Sequence, residues 1–465
     1  MTWLLALAAL LWAPLALSAQ LRPAAEVDSV DAFIARVMAE QQVPGVAVAV
    51  MRNGKVVLTK GYGFADLEHK VPVTPRTVFQ SGSVGKAFTV MAVLMLVDDG
   101  RVRLDAPLAT YFPNAPSVWA TITVRHLLEH TSGLPGYPDD FDFRRDRTED
   151  ELFAIIGEQP LGFPVGAQRG YSNLGFILLG ILVHKVTGTF YGDFLAERLF
   201  RPIGMPTARV NSEADVILDR ARGYQLVEGA LKNQEWVAPT LNTTADGSLL
   251  LSALDMAAWD AALQERRLLS AGSYARMWTR LVTTDGAEQP FGFSWQLPDV
   301  SAQRLIEHSG GWQGFTANYS HYPATGLSVA VFLNRRGVDP IRVTRGIQRI
   351  VQPELSIAGA PSIADPDAEM AVFVREFVVD VANGRMRASQ FAPSIAEEIL
   401  AGADRGKERF QSYGTMQRVE LLSRTVTPQG VRQVAYRLTF SARQIVLRLD
   451  RDARGIITNI AVQEE

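Results

Sequence analysis

Ser83-Val84-Gly85-Lys86 runs directly into the apolar stretch Ala87 to Val97, and it is the only Ser-x-x-Lys among 465 residues. The apolar stretch predicts a helix, on which positions i and i+3 share a face. The Lys86 amine then lies beside the Ser83 hydroxyl. A serine hydroxyl is a weak nucleophile until a neighbouring base takes its proton, and a desolvated amine is such a base. The plainer reading of the tetrapeptide is a helix start, with Ser83 near the N-cap and Lys86 reaching solvent. Two further motifs, each also found once, weigh against it. Tyr171-Ser172-Asn173 supplies a second proton-handling group and an amide. His308-Ser309-Gly310 supplies a third polar group followed by glycines that let a substrate approach the backbone.

In this order the three motifs resemble the serine β-lactamase and penicillin-binding-protein superfamily, with its Ser-x-x-Lys, Ser/Tyr-x-Asn and Lys-Thr-Gly signatures. The stretches Phe79 to Ser83, Ile122 to Leu134, Pro164 to Gly166 and Leu199 to Met205 are similar to its class C β-lactamase-related branch, and the resemblance runs from about Val27 to Val351. It implies an α+β fold, an antiparallel sheet flanked by helices plus an all-helical subdomain, with the active serine at their junction. It also implies roles. Ser83 attacks a carbonyl carbon and forms an acyl-enzyme. Lys86 and Tyr171 handle the proton, with either as the base. Asn173 holds substrate and lysine, and His308, Ser309 and Gly310 line the substrate site. The Gly311 N–H joins that of Ser83 in an oxyanion hole, where one donor is worth roughly 3–4 kcal/mol. The plainer reading of Tyr171 and Asn173 is a half-buried tyrosine and an N-cap for a helix over Leu174 to Val186.

His308 stands where most β-lactamases carry lysine, and D-amino-acid peptidases and β-lactamase-like esterases of the superfamily have His-x-Gly there. The resemblance therefore points to a serine hydrolase of an ester, amide or D-amino-acid peptide, of the esterase, carboxypeptidase or D-aminopeptidase kind. A true β-lactamase is the alternative, and a non-catalytic penicillin-binding-like sensor is the reading from another class. The intact Ser83, Lys86 and Tyr171 speak against a sensor. An unperturbed histidine titrates near pH 6.5, so affinity for anionic substrates is expected to weaken as pH rises through the pKa of His308. Glu307 would favour the cation, but its neighbouring strand position points it to the opposite face.

With 46 basic and 49 acidic residues and a net charge of −3, the chain has no block suited to nucleic acid. The histidine pair His126 and His130 has ligand spacing but lacks the glutamate of a zinc-protease motif, so no metal is expected. Gly-rich phosphate loops are absent and no cofactor is expected. The partner is a small-molecule or peptide substrate. Met1 to Ala19, with its apolar run Leu4 to Leu17 and small-residue end Ala16 to Ala19, reads as a signal peptide and suggests a periplasmic or secreted protein. No later segment reads as a membrane span. There is no cysteine, hence no disulfide.

The length suggests two domains. A β-hairpin is expected around Asn53-Gly54, from Val43–Met51 and Lys55–Gly61. Further strands are expected at Phe291–Leu297, Gln303–His308, Thr316–Tyr322 and Ser328–Asn334, with a helix-rich stretch from Lys86 to Gln264. Residues 27–352 then form the hydrolase domain and 353–366, rich in Pro, Ser, Ala and Gly, a linker. Residues 367–465 read as a small α+β accessory domain: helices at Asp367–Ala382 and Ser394–Gln411, then strands at Val419–Thr427, Val434–Phe440, Ile445–Leu449 and Ile456–Val462. That element order resembles the nuclear-transport-factor-2-like type. No ionisable cluster marks a pocket in it, which favours a packing or dimerisation role. The charged run Asp139 to Arg147 reads as a solvated loop at the cleft. Trp236, Trp259, Trp278 and Trp295 read as core, and Trp312 is a weaker candidate for substrate contact.

Overall fold

The computed structural model describes residues 24–300, 303–355, 362–427 and 430–464. Met1 to Ala19, the expected signal peptide, lies outside the described residues. Val43 to Met51 becomes strand β1 (Gly45–Arg52), which turns at Asn53 and Gly54 into β2 (Lys55–Asp66). Both turn residues have positive φ, 51° and 71°. A two-residue hairpin turn needs that left-handed pair, which Asn and Gly adopt with little strain. β1 is central in a six-stranded antiparallel sheet of order β4-β5-β6-β1-β2-β3, where β3 is Val71–Pro72, β4 Ile306–Trp312, β5 Phe315–Tyr322 and β6 Leu327–Leu333. The register Val46 opposite Leu333 joins strands from the two ends of this unit, as expected.

The expected strand over Phe291–Leu297 does not form. The segment folds back on itself, with the Gly292 N–H donating to the Trp295 carbonyl at 2.8 Å. Ser294 has φ 59° there, a left-handed conformation that ends a strand's pleat. Only Gln296 bridges to Glu307. Gln303–Arg304 is a separate two-residue strand, and β4 begins two residues later.

α1 (Ala24–Gln41) and α4 (Pro340–Val351) cover one face of the sheet and the helix Ala253–Gln264 the other, while α2 (Gly85–Asp98) and α3 (Asn173–Thr187) pack on each other in the helical part. β1 divides its side chains between two cores. Val46, Val48 and Val50 pack with residues of α1 and α4, while Ala47, Ala49 and Met51 join the larger core that contains α2 and α3. That alternation is the two-residue period of a strand covered on both faces. α2 is buried from Gly85 to Leu96. A helix apolar on every side belongs inside. Phe88 within it stacks at 4.2 Å on Trp259, the kind of core ring whose truncation costs about 3–5 kcal/mol. Among the described residues no single helix is long and apolar enough to cross a membrane. Trp259 and Trp295 are core as expected and Trp278 packs against it, but Trp236 is 59% exposed.

Beyond the first unit, Leu355 is still buried against Val351, whereas the Ile363 N–H donates to the Leu421 carbonyl and Asp365 accepts from the Tyr436 hydroxyl. The described ends of the expected linker are thus fixed to different cores. α5 (Ala368–Ala382), α6 (Pro393–Ala401) and α7 (Ala403–Ser412) precede a four-stranded antiparallel meander, β7 (Met416–Val426), β8 (Arg432–Phe440), β9 (Gln444–Arg451) and β10 (Ile457–Glu464). The single helix expected over Ser394–Gln411 is two, because Gly402, at φ −93° and ψ 5°, leaves the helical conformation between them. Val434, Tyr436, Leu438 and Phe440 face the helices in the expected alternation, but the strand is not half-buried, since Ala435 and Arg437 on its other face are buried as well. A small cleft of about 270 Å³ does carry ionisable groups, Glu376, Asp380, Arg387 and Arg451, contrary to expectation. They come from α5, the following turn and β9, a convergence invisible in the linear sequence.

Candidate active site

Ser83 sits on a single turn, Gly82–Val84, that feeds α2. The end of β4 crosses this turn backbone against backbone. A Cβ on Gly310 would lie 2.1 Å from the Ser81 carbonyl oxygen and 2.9 Å from the Ser83 nitrogen, and one on Gly82, which has φ 49°, would lie 2.5 Å from the Gly311 nitrogen. Only glycine permits that approach, and it sets Gly311 beside the serine.

Lys86, one turn further, is fully buried. Its Nζ donates to Ser83 Oγ at 3.2 Å, to Asn173 Oδ1 at 2.8 Å and to the Asp246 carbonyl. Three acceptors match the three N–H groups of an ammonium. The Tyr171 hydroxyl donates to Ser83 Oγ at 2.7 Å. The plainer readings of these residues fail. Lys86 does not reach solvent, Ser83 makes no cap, and the cap of α3 is Ser172, whose Oγ accepts from the Gly175 N–H at 2.9 Å. With the cap supplied one residue earlier, Asn173 is free to face Lys86. Asp246 carries a buried carboxylate that accepts from the Tyr137 and Thr244 hydroxyls, each at 2.6 Å.

Beneath Tyr171 runs a second chain of polar groups. The Ser172 N–H donates to His130 Nδ1 at 3.1 Å, so the proton of a neutral His130 is on Nε2, which donates to Ser294 Oγ at 3.2 Å. The Ser294 hydroxyl is then free to donate to His308 Nε2 at 3.1 Å, and His308 Nδ1–H donates to the Ser309 carbonyl at 2.6 Å. Every link has one donor and one acceptor, which fixes both tautomers. The chain works only with neutral rings. Burial first, then the neighbouring Lys86 charge, pushes His308 down to about 3. Burial also holds His130 well below the ordinary histidine range, with the charges of Arg169 and Lys86 adding to it. The expected titration of His308 against anionic substrates is therefore corrected: in the folded protein it is uncharged at neutral pH and its ring nitrogens are engaged. Glu307 does point to the other face, where it pairs with Arg345 at 2.8 Å.

A cavity of about 410 Å³ opens at the serine. Ser83, Tyr171, His308, Ser309, Gly310 and Gly311, all singled out in the sequence, line it, while Lys86 and Asn173 form the hydrogen-bonded layer behind Ser83. Arg169, Phe291, Ser294 and Gln296 complete it and were not foreseen. A larger hollow of about 630 Å³, bordered by Leu152, Ile181 and Tyr191, includes none of these groups, although Thr244 and Ala245 on its wall adjoin Asp246. Trp312 is pinned by its Nε1–H to Asn242 Oδ1 at 2.9 Å and does not line the serine cavity. The charged run is exposed as expected except Arg147, which is buried with its guanidinium 4.3 Å from the Phe141 ring. His126 caps its own helix through Thr123, and with His130 in the polar chain the pair has other partners.

Residues 30–352 match the Beta-lactamase family, which is more than half of the chain. The chain belongs to the beta-lactamase family. It is 30% identical over 308 residues to a D-aminopeptidase of Gluconobacter oxydans (strain 621H), covering 63% of this chain and 56% of that protein. The chain thus spans little more than half the length of that curated relative. A solved D-amino acid amidase from Ochrobactrum anthropi SV3, in complex with L-phenylalanine amide, superposes with a TM-score of 0.62 at 25% identity, covering 70% of this chain and 98% of that one. An octameric penicillin-binding protein homologue from Pyrococcus abyssi shares the fold over 94% of this chain and 98% of its own, with a TM-score of 0.62 at 22% identity.

Proposed function

We propose that this chain, a serine hydrolase by family, cleaves amides or peptides built on D-amino acids through an acyl-enzyme on Ser83. The observation that carries the proposal is the convergence on Ser83 Oγ of the Tyr171 hydroxyl at 2.7 Å and Lys86 Nζ at 3.2 Å, at the edge of an open cavity. Relatives named D-aminopeptidase and D-amino acid amidase support the substrate class. We assign proton acceptance to the Tyr171 oxygen, whose 2.7 Å contact with Ser83 Oγ is shorter than the 3.2 Å contact of Lys86, an amine shared among three acceptors. With the phenol ionised, the same short contact runs from Ser83 to Tyr171, and the lysine charge, 5.0 Å from the tyrosine ring, balances the phenolate.

Ser83 Oγ then bonds to the substrate carbonyl carbon as its proton moves to Tyr171. The negative charge on the carbonyl oxygen faces the Ser83 and Gly311 backbone. Collapse breaks the C–N bond, and the Tyr171 proton passes to the departing nitrogen. Water next adds to the acyl carbon, losing a proton to Tyr171, and Ser83 Oγ leaves and recovers it. The same proposal has the protein exported through the Met1 to Ala19 segment, and residues 367–465 serving as an accessory domain.

The test is intact-protein mass after incubation with p-nitrophenyl esters, D-amino acid p-nitroanilides, D-alanyl peptides and β-lactams. An acyl mass on Ser83 is expected, and Ser83→Ala should abolish the adduct and lower turnover by about 10⁴-fold or more. An alanine variant that keeps either refutes the assignment. Fast β-lactam turnover with inert D-peptides would favour the β-lactamase alternative.

A further inference from the structure

The hollow of about 630 Å³ beside α3 exceeds the serine cavity in size and has a chemistry of its own. Its floor is apolar, built of Leu152, Ile177, Ile181, Phe190 and Tyr191. Small molecules occupy cavities of roughly 300–1,000 Å³, so the space suits one. Arg147 stands in the wall and is only 9% exposed. Its guanidinium lies 4.3 Å from the Phe141 ring, and Nη1 donates to the Asp142 carbonyl at 2.7 Å and to the Arg145 carbonyl at 3.0 Å. Nε and Nη2 keep the other N–H groups of the fork, and among the described residues no acceptor and no carboxylate meets them. A buried cation without a counter-charge carries a desolvation cost that an anionic ligand offsets.

The remaining ionisable groups of the hollow leave that preference standing. His184 Nδ1 meets Glu149 Oε2 at 2.7 Å, and Asp150 and Lys185, one of each sign, are exposed where solvent and salt screen them. Another part of the wall leads to the active site. Thr244 and Ala245 line the hollow, and Asp246 follows them. The Thr89 hydroxyl of α2 donates to the Ala245 carbonyl at 2.6 Å, the Thr244 hydroxyl to the Asp246 carboxylate at 2.6 Å, and the Asp246 carbonyl accepts from Lys86. A Cβ on Gly180 of α3 would lie 2.5 Å from the Ala245 Cβ, so helix and segment meet without slack. The segment that borders the hollow thus also holds the lysine beside Ser83. An occupant adds packing contacts to it.

We infer that this hollow is a second binding site, for a small monocarboxylate with an apolar body such as a medium-chain fatty acid, with its carboxylate on Arg147 and its chain against Leu152, Ile177 and Ile181. Occupancy supports the Thr244 to Asp246 segment and raises turnover at Ser83. Binding holds whatever substrate Ser83 takes, whereas the effect on turnover rests on the acyl-enzyme reading above.

The experiment titrates octanoate, octanol and octyltrimethylammonium into the full-length protein by calorimetry, each below its micellar concentration. Octanoate should bind roughly tenfold or more tightly than either of the others. Arg147→Gln should bring octanoate down to the level of octanol, and Ile181→Phe, which fills the floor and leaves the arginine, should weaken both. The two variants alter opposite ends of the ligand, so misfolding of one leaves the other to decide. With p-nitrophenyl acetate as substrate, octanoate should raise kcat about two- to fivefold, and Arg147→Gln should shift its half-effective concentration by the factor seen in binding. Equal affinity for the three probes, tighter binding of the ammonium, or octanoate binding that survives both variants overturns the site. Competition with the ester that survives both variants places octanoate in the serine cavity and overturns it as well. Binding through Arg147 with kcat unchanged overturns the coupling and keeps the site. If no ester acylates Ser83, the parent reading fails, and the calorimetry still decides whether the hollow binds.

Discussion

Two regions of this chain handle buried polarity in opposite ways. In residues 30–352, Lys86, His130, Asn173, Asp246, Ser294 and His308 converge from distant segments into bonded networks around one serine. In residues 367–464 the core between helices and meander is apolar, and the ion pairs Arg437 with Glu420 and Arg432 with Asp367 lie outside the hydrophobic cluster. Burying polar groups costs free energy unless every one is bonded, so a convergent buried network marks where a fold performs chemistry rather than where it is merely held together.

The largest test of that contrast exchanges one buried cation in each region for a similar apolar side chain. Lys86→Met should lower turnover by about 10³-fold or more, because it removes a hydrogen bond to the nucleophile and the charge beside Tyr171. Arg437→Met removes a cation that is also buried and paired, yet turnover should stay within about twofold, since nothing connects it to Ser83. Steady-state rates per mole of folded protein, with folding checked by thermal melts, decide it. A large loss from Arg437→Met would erase the distinction.

What the sequence reveals follows the same division. Ser83 with Lys86, and Tyr171 with Asn173, are readable because each pair is set by a short spacing on one helix or turn. The hairpin at Asn53-Gly54 is readable because a left-handed pair restricts the residue types. Arg169, Asp246 and Ser294 were not, because only packing brings residues 130, 169, 246, 294 and 308 together. Ser294 misled the reading of strands as well: Phe291, Phe293, Trp295 and Leu297 alternate as a strand should, but the chain turns back at the serine between them.

A middle-sized effect is expected from that serine. Ser294→Ala leaves His130 Nε2–H without an acceptor and His308 Nε2 without a donor, and an unmet buried polar group costs about 1–3 kcal/mol. The hydroxyl positions the two rings rather than meeting the reacting atoms, so kcat should fall roughly tenfold with KM changed less. Ser294→Gly, which suits the left-handed backbone but also lacks the hydroxyl, should lose as much activity. If glycine restores the rate, backbone strain and not the relay is at work.

The relay also gives the two regions different responses to acid. His308 is held at about 3 and His321 at about 4 in the folded protein, His130 is depressed too, and all three return to about 6.5 on unfolding. The unfolded chain then binds more protons between those values, so stability is complete above pH 6.5 and declines as pH falls toward 4. No histidine lies beyond residue 352. Glu129, pushed up to about 7 by burial, takes up a proton in the folded state over the same range and offsets part of this loss. Between pH 7 and 5 the melting of the first region should still fall, by roughly 2–4 °C for each kcal/mol of net loss, while that of the second stays level. Calorimetry or exchange at amides assigned to each region reads the two separately, and a parallel decline in both would show that the buried histidines are not the cause.

The smallest effect should come from removing the second region altogether. Leu355 closes the core of the first, Ile363 and Asp365 bond to the second, and each hydrophobic cluster draws on its own segment. The amidase chain superposes over 98% of its own length on 70% of this chain, so close to a third of this chain has no counterpart in it. Among the described residues, the groups that meet Ser83 and the lining of its cavity all precede residue 312. A chain ending at Pro361 should therefore fold, melt in one transition and hydrolyse a small neutral ester within about threefold of the full-length rate. Surface uncovered by the cut is apolar only if the two regions pack together, and in that case solubility rather than kcat should suffer. A folded truncation that is inactive on the small ester would mean that residues 367–464 complete the site after all. One that loses only larger peptides would instead assign the second region to the outer reach of the substrate.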